Sequence, residues 1–199
     1  MKQQTGRRVR ICPHCGSRRT VPVQWRGPEI EYSPIDGTWH GGYEVPDPEP
    51  RYHCLDCGRD ICYKVDEWEE HTKSFEFVIG RTPGDNFVLR LTRSVEGESA
   101  VVELTRYWRG GPDREKTQSR AGAINRQGFE KYLKRIYRSC ILEWEPEYND
   151  FTVMDGTNWQ VTLQYDDRDP VIITGRSAYP PLWKRFLRAV NSLEIPDVS

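Results

Sequence analysis

Past residue 71 the sequence contains no histidine, all four lying at positions 14, 40, 53 and 71. Nucleophiles activated by an imidazole, and His-based metal sites, are thereby excluded from everything downstream. Long apolar runs are missing as well, since no stretch approaches the roughly 20 residues that a membrane-spanning helix needs. The start, Met1 to Arg8, is charged with no apolar segment behind it, and the twin Arg7-Arg8 runs into Val9-Arg10-Ile11-Cys12 where an export signal would be hydrophobic. The expectation is a soluble, cytoplasmic protein without a membrane span. Net charge is scarce too, at -1.

What is present is bulky and unevenly charged. Charged residues make up 30% and hydrophobic ones 36%, but seven Trp, ten Tyr and six Phe supply enough burial for a globular core. Residues 1–30 hold seven Lys/Arg against one acid, 31–80 four against twelve, 81–140 thirteen against seven, and 141–199 five against ten. Alternating blocks of this kind predict domain faces of different sign.

Cys12-Pro13-His14-Cys15-Gly16 and Cys54-Leu55-Asp56-Cys57-Gly58 repeat one device. A Cys-x-x-Cys turn aims two thiolates at one point, the following glycine permits the reversal, and two such turns together make the four-sulfur set that zinc prefers. The expected cofactor is one structural Zn2+ per chain on Cys12, Cys15, Cys54 and Cys57, with no coordination position open for catalysis. The segment resembles a zinc ribbon, with Tyr52 to Ile61 as its second knuckle and hairpin, although the 38 residues between Cys15 and Cys54 exceed what a simple ribbon needs and read as an inserted, irregular loop over 29–51. A disulfide pair would need an oxidising compartment, and Cys-Pro-His-Cys also resembles a redox dithiol, which a matching second pair argues against. Cys62 or one of the histidines as a replacement ligand fits the spacing less well; Cys62 reads as a packed hairpin residue and Cys140 as a core thiol.

Downstream the texture changes. Alternation predicts strands near 75–80, 86–93 and 100–108, joined by turns at Pro83 to Asn86 and Glu96 to Glu98. Residues 109–123 read as a polar surface loop, whose Gly111 to Thr117 lacks the glycine before lysine that a phosphate-binding loop requires. A helix is predicted over 125–142, with Phe129, Tyr132, Leu133, Ile136, Tyr137 and Cys140 on one face and Lys131, Lys134, Arg135 and Arg138 on the other. Strands at 151–154 and 159–165 around an Asp155-Gly156 turn, a short strand at 171–173, and a helix opened by Pro180-Pro181 complete the pattern. The order implies an α+β fold: a small four-cysteine zinc ribbon (1–73) followed by an antiparallel β-sheet domain with two helices (74–199). The series Asp155-Gly156, Trp159, Tyr165, Gly175, Ala178-Tyr179-Pro180 resembles the tail of uncharacterised bacterial proteins, a likeness that implies no activity.

Two functions follow as expectations. The first is a non-enzymatic binding or adaptor module that engages a protein or nucleic-acid partner through Arg7, Arg8, Arg10, Arg18 and Arg19, beside an exposed Trp25, and through Lys131, Lys134, Arg135 and Arg138. A minor extra contact is expected from Arg109, Arg114, Lys116 and Arg120. The alternative is an enzyme braced by the same zinc, with chemistry carried by carboxylates such as Asp166, Asp167 and Asp169 or by the 109–123 loop. A deep pocket with convergent acids would favour the enzyme; a basic surface would favour binding.

Overall fold

The computed structural model describes residues 10–47, 49–62, 68–81, 83–109 and 117–193. The chain divides into two compact units, Met1–Lys64 and Val65–Ser199. No helix among the described residues is long and apolar enough to cross a membrane.

The first unit is a five-stranded sheet in the order β2-β3-β1-β4-β5, from β1 (Thr20–Gln24), β2 (Glu29–Ser33), β3 (Thr38–Gly41), β4 (Tyr52–Cys54) and β5 (Asp60–Ile61). The insert expected to be irregular is therefore partly strand. β3 runs parallel to β1, setting Trp39 opposite Val23, and β4 runs antiparallel to β1, setting Cys54 opposite Thr20. Buried Cys12, Cys54 and Ile61 form a small core with Tyr52 against it.

The second unit is a seven-stranded sheet in the order β10-β12-β11-β6-β7-β8-β9. Its elements are α1 (Trp68–His71), β6 (Thr72–Gly80), β7 (Gly84–Arg93), β8 (Ser99–Arg109), β9 (Thr117–Asn125), α2 (Arg126–Tyr137), β10 (Glu147–Asn149), β11 (Asn158–Tyr165), β12 (Val171–Arg176) and α3 (Trp183–Val190). The pairs are antiparallel except β10 with β12, which is parallel. Thr72 and Lys73, grouped by sequence with the first unit, open β6 of this sheet.

The core lies on one sheet face. Phe75 and Phe77 of β6, Leu89 and Leu91 of β7, Val102 of β8, and Val161 and Leu163 of β11 alternate inward under the apolar stripe of α2, Phe129, Tyr132, Leu133, Ile136 and Tyr137. From α3, Phe186 meets Phe77 edge-on, ring centroids 5.0 Å apart. Full burial of such a side chain contributes about 1.5–3 kcal/mol, so this stripe decides where the helices sit.

Five expectations need correction. Residues 117–123 are not loop but most of β9, an edge strand of polar and small residues (TQSRAGAIN) with too little apolar alternation to reveal itself. No strand forms at 151–154: the Asp150 carboxylate accepts the Thr152 backbone N–H at 3.0 Å and turns the chain, leaving Phe151 and Met154 exposed, and the strand precedes it as β10. Asp155-Gly156 accordingly closes no hairpin. The helix expected to run to 142 stops at Tyr137, capped by Arg138, because Cys140 takes the left-handed conformation at φ 58°. The last helix begins at Trp183, since Pro180 and Pro181 sit in a turn closed by Trp183 N–H donating to Pro180 O at 2.9 Å.

Candidate metal centre

The two knuckles have the same backbone hydrogen bonds. Gly16 N–H donates to Cys12 O at 2.9 Å and Gly58 N–H to Cys54 O at 2.8 Å; Cys12 N–H donates to Ser17 O at 2.8 Å and Cys54 N–H to Arg59 O at 3.0 Å. Gly16 and Gly58 both have positive φ, 76° and 69°. Nothing lies within 4 Å of where a Cβ of Gly58 would stand, so the backbone angle, and not crowding, requires glycine there.

These turns bring four sulfurs together. All four Sγ atoms of Cys12, Cys15, Cys54 and Cys57 lie within 4.8 Å of one another, with Cys12 to Cys57 at 3.7 Å and Cys15 to Cys54 at 3.6 Å. Around a metal with bonds of about 2.3 Å, a tetrahedron has sulfur–sulfur edges of about 3.8 Å. A disulfide would need about 2.05 Å, and all six cysteines are free thiols. The cluster can hold a metal ion, and its all-thiolate donor set suits structural zinc.

Electrostatics and neighbours prepare the site unevenly. Burial pushes the Cys12 thiol up to about 12 and raises that of Cys57. On Cys54 burial is outweighed by backbone N–H groups of Cys57 and Asp56, which bring it down to about 7. The turns are also tied to each other outside the sulfurs. Asp56 accepts from the Ser17 hydroxyl and from Arg19 Nη1, the latter at 2.6 Å, and Arg59 Nη1 is 3.0 Å from His14 Nδ1. Ser17, Asp56 and Arg59 carried no separate signal in the sequence beyond their place at the turns.

None of the rival ligands joins the cluster among the described residues. His53 Nδ1 is 2.7 Å from Asp60, His40 lies 3.8 Å from Asp36, and His71 lies 3.5 Å from Asp167. His71 belongs to the second unit, which therefore does contain one imidazole. Cys62 is half-buried, and Cys140 is buried.

The sequence-selected basic residues are spread over both units. Arg7 and Arg8 lie outside the described residues. Arg10 is exposed, its guanidinium 5.5 Å from the Tyr52 ring centroid. Arg18 is exposed, and Arg19 is held by Asp56. On α2, Lys131, Lys134 and Arg138 are exposed, while Arg135 is half-buried and donates to the Ser192 hydroxyl at 3.0 Å. Of the loop residues, Arg109 ends β8, Arg114 and Lys116 fall outside the described residues, and Arg120 is exposed on β9. Trp25, expected to be exposed, is half-buried, donating its indole N–H to Pro50 O at 2.8 Å.

The candidate catalytic acids are engaged elsewhere or apart. Asp167 pairs with Arg168 at 2.7 Å, and Asp166 lies 3.5 Å from Arg93. Asp169 is exposed. No family model matches the chain, and no curated protein matches it.

Proposed function

We propose that this is a zinc-stabilised, non-enzymatic binding protein of a reducing, cytoplasmic compartment whose partner is a nucleic acid. One Zn2+ per chain, held by Cys12, Cys15, Cys54 and Cys57, would be structural, because four thiolates fill a tetrahedral site and leave no position for substrate. The observation that carries the partner is the outer face of α2. Lys131, Lys134 and Arg138 are exposed there, and Glu130, the helix's one carboxylate, is paired with Arg126 at 2.8 Å. Such a ridge can replace the counterions of a phosphate backbone.

The recesses of the second unit point the same way. One of about 830 Å³ is lined, among the described residues, by Arg81 and Arg106 with Asp85 as the one acid, an arrangement suited to an anion. The test is a titration of the zinc-loaded full chain with mixed-sequence single-stranded RNA and DNA in about 50 mM salt, where nonspecific electrostatic binding is readily seen. Affinity should fall steeply with salt, and each of Lys131→Ala, Lys134→Ala and Arg138→Ala should lower the log–log slope by about one. No binding at micromolar protein would overturn the nucleic-acid partner and transfer the ridge to a protein.

A further inference from the structure

The long strands of the second unit outrun the helices that cover them. β8 has 11 residues and β7 has 10, about 33–37 Å of extended chain at roughly 3.3 Å per residue, whereas the 12 residues of α2 span about 18 Å. Core-facing positions near one end of the sheet are therefore left uncovered. Register identifies them: Ile79 pairs with Phe87, Phe87 with Arg106, and Arg106 with Gln118, one row across four strands. The row before it, Phe77, Leu89, Leu104 and Arg120, is buried on β6 and β7 and gives way to an exposed arginine on β9.

This uncovered row is the floor of the 830 Å³ recess. Its composition differs from that of a solvated sheet face. Phe87 and Ile79 are half-buried apolar surface, and Trp108, 39% exposed, stands one row further out opposite Asp85. Arg106 lies over the Phe87 ring, its guanidinium carbon 5.8 Å from the centroid, so Phe87 holds that guanidinium in the recess. Arg81 comes from the β6–β7 turn and lies across Gly84, whose φ of 150° and missing Cβ leave room for that side chain. Asn86 fastens the same turn, its side-chain amide donating to Gly84 O at 2.8 Å and Arg81 O at 3.3 Å. Neither Arg81 nor Arg106 forms an ion pair with a described residue, and the Gln118 amide and Thr157 hydroxyl on the recess wall make no side-chain hydrogen bond with one.

We propose that this recess is a nucleotide site, stacking the planar base on Trp108 and holding the phosphate between Arg81 and Arg106, with Phe87 beneath the Arg106 guanidinium. Each part of the ligand has a counterpart. An aromatic ring takes any base by stacking, worth about 1–3 kcal/mol per base; two guanidinia supply planar, forked donors for phosphate oxygens; the Gln118 amide offers both a donor and an acceptor to a base edge; and Asp85 offers an acceptor to a sugar hydroxyl. A volume of about 830 Å³ falls in the ordinary range of ligand sites, roughly 300–1,000 Å³. The same chemistry is presented by a free mononucleotide and by a nucleotide within a single strand. The site uses neither α2 nor the metal, and so stands apart from the ridge invoked above.

The test is calorimetric titration of the zinc-loaded full chain with adenosine and uridine 5′-monophosphates, adenosine, inorganic phosphate, and a single-stranded octauridylate. Either the mononucleotides or the octamer should bind at least tenfold more tightly than adenosine or phosphate alone. Binding of both monophosphates identifies a free nucleotide as the ligand, and binding of the octamer alone identifies a strand. Arg81→Ala and Arg106→Gln should each weaken that binding about five- to tenfold, and Trp108→Leu by a similar factor, with circular dichroism and the unfolding midpoint unchanged. Lys131→Glu with Arg138→Glu should leave mononucleotide binding unaltered. The proposal is overturned if neither probe binds at 1 mM, or if the arginine variants, folded, bind as the parent does. Octamer binding lost only in the α2 variants would overturn the recess and leave the ridge standing.

Discussion

The Trp39 indole lies flat on the His53 imidazole, centroids 3.7 Å apart and planes inclined by 8°. His53 is the residue before the ligand Cys54, and its Nδ1 is 2.7 Å from Asp60 Oδ1. The stack therefore fastens β3, from the long insert, to β4, the strand that ends on the ligand Cys54. Trp39→Ala should destabilise the zinc-bound first unit by at least about 1 kcal/mol, the worth of an aromatic pair beyond simple burial, and speed metal loss to a chelator. Thermal unfolding and chelator competition measure both, and unchanged release would show that the insert is not part of the metal site's support.

Metal content and its pH dependence form the second prediction. Protein expressed with zinc should carry one equivalent, and Cys54→Ser or chelation should unfold the first unit, since structural zinc contributes roughly 10 kcal/mol or more. Binding must expel thiol protons. Cys12, pushed up to about 12 by burial, and Cys57, also raised by burial, are protonated at neutral pH, whereas Cys54, at about 7, loses its proton near neutrality. Apparent affinity should thus rise with pH by at least about two decades per unit above pH 7 and steepen by about one more below it. A flat profile would remove thiolate ligation.

The sequence was most readable where a single feature settles the structure. Two Cys-x-x-Cys-Gly turns predict the metal cluster because the ligands, the reversal and the positive φ are all local. The α2 stripe of Phe129, Tyr132, Leu133, Ile136 and Tyr137 predicts which helix face is buried, for the same reason. β9 and β3 were illegible because TQSRAGAIN and TWHG carry little apolar alternation of their own, and both become strands by pairing with β8 and β1. The recess was hidden more deeply: Phe87 and Arg106 sit at core-facing positions by alternation, and only the shortness of the helix layer makes their row a surface.

A third prediction concerns Gly175. A Cβ there would overlap the Trp159 indole, whose N–H donates to Ala178 O at 2.9 Å. Trp159 is 3% exposed and packs against Trp183, centroids 4.6 Å apart. Gly175→Ala should force the indole out of place, destabilising the second unit by about 1–3 kcal/mol, the usual range for overpacking, and shifting tryptophan emission to the red. Gly97→Ala, at a turn where nothing lies within 4 Å but φ is 76°, is the contrasting case: strain without a tryptophan signal. Equal emission in the two variants would argue against the close approach.

The last prediction is alkaline. Tyr132 is 3% exposed beneath α3, its hydroxyl 3.4 Å from Val190 O, and burial raises its pKa far above the ordinary value. Tyr165 is raised by burial as well, although the Tyr137 hydroxyl opposes the shift. A tyrosine whose folded pKa exceeds its unfolded one keeps its proton in the native state while the unfolded chain loses it. Stability from this source is therefore complete below the unfolded value of about 10 and declines as pH rises above it. Each such group contributes a slope of about 1.4 kcal/mol per pH unit once the unfolded chain is ionised and the native one is not. Urea unfolding of the full chain between pH 9.5 and 11.5 should show this decline, and Tyr132→Phe should reduce the slope by one proton's worth. The same variant should leave stability at pH 7 within about 1.5 kcal/mol, the net worth of one neutral hydrogen bond. An unaltered alkaline slope in Tyr132→Phe would show that the hydroxyl ionises without leaving the core and would overturn the assignment.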